Sequence, residues 1–148
     1  MEDSRLEETL LLFPKELLSS LDEDELEELK KDLRTPKEKA REYFWKAEEI
    51  RHSRHKGISI RDISIVERNY CKAAILSTYA GSSYYNLAKF CVEKCHELTG
   101  DEKYRKLMES FSPHIIAHKI SDYLHALEKA KKKGLMSLAN EVKDNSGF

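Results

Sequence analysis

The sequence predicts an all-α protein, a four- or five-helix bundle preceded by a short acidic helical arm. Three observations predict it. Only 5 of the 148 residues are Gly and 3 are Pro, and Leu, Glu, Lys and Ala are abundant, a composition that favours helix. Helix-start patterns recur along the chain, followed by apolar residues three and four apart. The one stretch with strand-like alternation, GISIRDISI at 57–65, contains a helix start of its own. The length suits one domain with one core.

Each element follows from local signals. Ser4 and Glu7 form a capping-box pattern before a short helix carrying Leu6, Leu10 and Leu11, which Pro14 interrupts. Asp22 and Glu25 start an acidic helix with Leu26, Leu29 and Leu33. TPKE at 35–38 is the clearest start, with Thr35 as cap, Pro36 in the first turn and Glu38 closing the box. That helix should reach about Arg54, with Ala40, Tyr43, Phe44, Ala47 and Ile50 inward. Ser59 and Asp62 open the next, which runs to Ala80 with Ile63, Val66, Tyr70, Ala73, Ala74 and Leu76 inward. Ser82 or Ser83 starts another through Leu98, ended by Gly100, and Asp101 starts a short one to about Phe111. Ser112 and Pro113 open a long helix expected to end at Gly134. The expected organisation is an arm at 1–34, a bundle at 35–134, and a short helix with a frayed tail at 135–148.

Charge divides the chain. Residues 1–32 hold twelve acids and four bases, a net −8, and the remainder carries +7. A basic body can attract a polyanion, or the acidic arm can fold onto it by charge complementarity; both readings stand open. Abundant Glu and Lys with no Gln point to a thermophilic source. MEDSRLEETL is acidic where a signal peptide is basic, and no apolar run reaches the ~20 residues that cross a bilayer. A soluble cytoplasmic protein with three reduced thiols is expected.

The densest positive cluster is RHSRHKG at 51–57. Arg51, Arg54 and Lys56, with Arg61 close behind, are the candidate nucleic-acid contacts. The competing account is that cations at a helix end complement its dipole, and it also covers KAKKKG at 129–134. YAGSSYY at 79–85 offers tyrosines that could stack on bases or close the end of a bundle.

FSPHIIAHKISDYLH at 111–125 and CVEKC at 91–95 hold ligand-type residues. His114 and His118 are the candidate metal ligands, ranked last, since HIIAH lacks the Glu of HExxH. A turn of about 100° per residue puts Ile116, Ile120, Tyr123, Leu124 and Leu127 on one face and His114, His118 and His125 on the other. Cys91 and Cys95 share a core stripe with Leu87, Phe90 and Leu98, so the two pairs should face apart. No metal and no cofactor are expected. Neither GxxxxGK[ST], GxGxxG nor GxSxG occurs, and the carboxylate pairs lie mainly in the arm.

AREYFWKAEEI (40–50) followed by IVERNYCKAAILSTYA (65–80) resembles the first two helices of HEPN-like proteins, in particular the archaeal repeat-family members. Glu67, Arg68, Tyr70, Lys72, Ala73, Ala74 and Ala80 match that pattern, and SYYNLAKFCVEKC and YLHALEKA are compatible with the later helices. The resemblance covers about 38–133. HEPN ribonucleases carry an Arg and a His separated by four to six residues. Here Arg51 and His55 have three between them, Arg105 and His114 have eight, and no pair fits. The resemblance therefore implies a non-catalytic or regulatory member, commonly dimeric, in an antiviral or mobile-element context. The expected function is a helical interaction module that binds a protein partner or itself. The alternative is an RNA-binding, ribonuclease-related protein that uses the 51–61 cluster.

Overall fold

The computed structural model describes residues 8–53 and 57–145, with side chains through residue 134. Several of its helices begin at side chains that accept the unpaired N–H groups of the first turn. After a 3₁₀ turn at Leu10–Leu12 come α1 (Lys15–Leu18), α2 (Glu23–Asp32), α3 (Pro36–Ser53), α4 (Ile60–Ala80), α5 (Tyr85–Thr99), α6 (Glu102–Ser110) and α7 (Pro113–Asn145). No strand occurs among the described residues, so the all-α expectation holds.

The caps explain the boundaries. Asp22 accepts the Glu25 N–H at 2.8 Å and Glu25 accepts the Asp22 N–H at 3.3 Å, a complete capping box. Ser59 caps α4 through the Asp62 N–H at 3.2 Å, and Asp101 caps α6 through the Lys103 N–H at 3.0 Å. Gly100 ends α5 at φ 67°, its N–H bonded to the His96 carbonyl at 2.8 Å. That left-handed conformation is one only glycine adopts without strain. The Ser4–Glu7 box lies outside the described residues.

Helix α4 is the hub. Its expected inward stripe is buried from Val66 onward, but so is every residue from Asn69 to Thr78. A helix buried all round must have partners on all sides. Ala73 and Ala74 on α4, with Ala40 and Ala47 on α3 and Ala88 on α5, are fully buried, and such small side chains let helix axes approach closely. Two of the polar groups this burial traps are satisfied by carbonyls one turn back. Thr78 Oγ1 donates to the Ala74 carbonyl at 3.1 Å and Asn69 Nδ2 to the Ile65 carbonyl at 3.0 Å.

Two expectations are corrected. Phe90, assigned to the α5 core stripe, is 37% exposed and lies at the edge of the core against Phe44, with ring centroids 5.9 Å apart. Gly134 does not end the last helix. Helix α7 continues to Asn145, 33 residues in all or about 50 Å. A mid-helix glycine costs only about 1 kcal/mol, and the strong helix formers on both sides outweigh it.

The acidic segment packs onto the body. Leu10, Phe13, Leu17, Leu21, Leu29 and Leu33 belong to the same buried cluster as α3–α7. Lys72 Nζ reaches Glu25 at 2.8 Å and Arg68 Nε reaches it at 3.7 Å. Of the two readings of the charge division, the structure displays the fold-back.

Candidate functional site

Three leucines in a row, Leu10 to Leu12, cannot all face the core, because each step of a tight helical turn rotates the side chain by roughly 120°. Leu10 is buried at 4% exposure, Leu12 is half-buried and Leu11 stands out at 79%. Leu11 borders an open groove of about 570 Å³ between the 3₁₀ turn, α1 and α2, where Leu18 and Leu26 are half-buried. Around this apolar floor stand Glu8, Glu23, Asp24 and Glu27, with Lys30 the one cation among the described residues that line it. Glu23 and Asp24 belong to the first turn of α2, where the helix dipole favours negative charge. Lys30 Nζ pairs with Glu27 at 2.7 Å, and Glu8 accepts the Tyr123 hydroxyl. The groove is therefore apolar at its base and acidic at its rim.

The 51–61 cluster is different. Arg51 is half-buried, its guanidinium 3.3 Å from Glu97. Tyr70 and Glu97 hold its charge more firmly than usual. Tyr70 donates to Glu48 at 2.6 Å, and Glu48 also meets His52 Nε2 at 2.8 Å. Arg61 is exposed in the first turn of α4. Arg54 and Lys56 lie outside the described residues, as does His55.

His114, His118 and His125 are exposed, while Cys91 and Cys95 are fully buried, as the helical faces required. His118 Nε2 lies 3.6 Å from Asp122, and the His114 and Tyr85 rings make a T-shaped contact, centroids 6.1 Å apart. Among the described residues no three His, Cys, Asp or Glu side chains are grouped to hold a metal ion. Each tyrosine of 79–85 has a ring contact. Tyr79 stacks on Phe13, centroids 5.6 Å apart, and Arg41 sits 5.5 Å over the Tyr84 ring.

Spacing along the chain did not reveal a buried cluster at the α4–α5–α6 junction. Cys71 Sγ is 3.9 Å from Cys95 Sγ and 3.5 Å from the Tyr104 hydroxyl. Tyr104 also donates to the Glu67 carboxylate and lies 2.8 Å from Ser20 Oγ. Its one legible sign was that Cys95 falls on the core stripe of α5.

Comparison with family models, curated proteins and solved structures finds no match for this chain. Among the described residues no helix is long and apolar enough to cross a membrane.

Proposed function

We propose that this protein is a non-catalytic interaction module whose N-terminal groove receives a basic amphipathic helix from a partner protein. The observation that carries the reading is Leu11, 79% exposed beside half-buried Leu18 and Leu26 within a rim of four carboxylates and one ammonium. An amphipathic helix can set apolar side chains three and four residues apart into such a groove. Its lysines and arginines would then meet Glu23, Asp24 and Glu27, which sets orientation and speeds encounter more than it adds affinity. A non-catalytic member of the HEPN-like group would suit this role, and self-association is the variant in which the partner is a second copy.

The test is fluorescence anisotropy with a labelled synthetic helix bearing a leucine stripe and a Lys/Arg face, beside a Glu-faced control. Binding of the basic helix alone is expected, weakened at least tenfold by Leu11→Asp and made far less sensitive to salt by Glu23→Gln with Asp24→Asn. Equal affinity in all variants would remove the groove as the site. Failure of the peptide, with salt-sensitive RNA binding lost in Arg61→Glu, would move the nucleic-acid reading to first place.

A further inference from the structure

The geometry points to Cys71 and Cys95 as an oxidation site, at which a peroxide-class oxidant joins α4 to α5 by an intramolecular disulfide. The two sulfurs already lie 3.9 Å apart, so closure to a bond of about 2.05 Å needs a movement of roughly 2 Å. Both cysteines are fully buried, on two helices that face each other. The neighbours differ in a way that gives each thiol a role. Cys71 has the Tyr104 hydroxyl at 3.5 Å, and that hydroxyl donates to the Glu67 carboxylate. The hydrogen bond from Cys95 favours the Cys71 thiolate, while that same bond and burial push the Cys95 thiol up.

The chemistry balances with hydrogen peroxide as oxidant. Cys71 passes its proton through the Tyr104 hydroxyl to Glu67, and the thiolate attacks one peroxide oxygen. An S–O bond forms, the O–O bond breaks, and the departing hydroxide takes the proton from Glu67 and leaves as water. The Cys95 sulfur then attacks the sulfenic sulfur of Cys71. The S–S bond forms, the S–O bond breaks, and the Cys95 proton leaves with that oxygen as a second water. Two thiols lose two electrons and one peroxide gains them. Because both sulfurs are buried, reaction proceeds through local opening of the fold.

The experiment treats the full chain with hydrogen peroxide at low protein concentration. Unreacted thiols are then alkylated under denaturing conditions and peptides are mapped by mass. The expected product is monomeric, has lost two hydrogens, carries a Cys71–Cys95 cross-link and leaves Cys91 alkylated. Closing a loop from 71 to 95 should raise the melting temperature by roughly 5–10 °C, reversed by a thiol reductant. Cys91→Ser should react as the parent does, and Cys95→Ser should stop at the sulfenic acid, trapped with dimedone. Three alkylated thiols after oxidation, a link through Cys91, or a cross-linked dimer would each overturn the assignment. Mapping the unmutated chain keeps the result independent of how the variants fold.

Discussion

Lys72 is a charged residue in the largely buried helix α4, with 10% of its side chain exposed. Its ammonium is held by Glu25 at 2.8 Å and by the face of Tyr43, 4.9 Å from the ring centroid. Tyr43 donates to the buried Asp32 at 2.6 Å, and Lys39 lies 4.0 Å from the same carboxylate. Removal of one partner from so enclosed a pair strands the other. Lys72→Met should therefore cost about 2–3 kcal/mol in urea unfolding. The double variant Glu25→Gln/Lys72→Met should regain part of that loss, because the amide still accepts the Asp22 N–H and no buried carboxylate is left facing the methionine. Additive losses would show that the pair is not coupled. Four of the residues that carry the HEPN-like resemblance have structural partners here: Arg68 and Lys72 hold Glu25, Glu67 holds Tyr104, and Tyr70 bonds Glu48.

Among the elements, α7 separates two readings of one glycine. As a helix end, Gly134 would be left-handed and Gly134→Ala would destabilise. As an interior helical residue with nothing within 4 Å of an added Cβ, it should tolerate alanine. Thermal unfolding of Gly134→Ala is expected to show a gain of about 0.5–1 kcal/mol, and a loss of that size would restore the helix end. Element starts were legible because Asp22, Ser59 and Asp101 act within three residues of themselves. The end of α7 was not, because a glycine weakens a helix without dictating the conformation of the residues after it.

Across the whole molecule, tyrosines fasten the N-terminal segment to four different helices. Tyr43 on α3 bonds Asp32, Tyr79 on α4 bonds Thr9, Tyr104 on α6 bonds Ser20, and Tyr123 on α7 bonds Glu8. Burial raises Tyr43, Tyr79 and Tyr104 above the ordinary value of 10, and the Glu8 carboxylate does the same for Tyr123. Each is neutral when protonated, so a raised folded pKa means the native state holds the proton more tightly. The stability this contributes is whole below about pH 10 and is lost as pH rises above it toward the folded values. Alkaline unfolding should therefore coincide with delayed, cooperative growth of tyrosinate absorbance. Simple titration of all seven tyrosines near pH ~10, with helicity intact, would contradict this linkage.

By itself the sequence determined the helical class, most helix starts, the inward face of Cys91 and Cys95 and the outward face of His114, His118 and His125. Those depend on caps and on the 3.6-residue period, which act within a turn or two of the chain. Only the tertiary structure decided that the acidic segment completes the core, that α4 is buried on every side from Asn69 to Thr78, that Arg51 is turned toward Glu97, and that Leu11 borders an acidic groove. It also brought Cys71 to Cys95 across 24 positions and Ser20 to Tyr104 across 84. Contacts of that kind depend on how several amphipathic faces share one buried volume, and no local spacing encodes that choice.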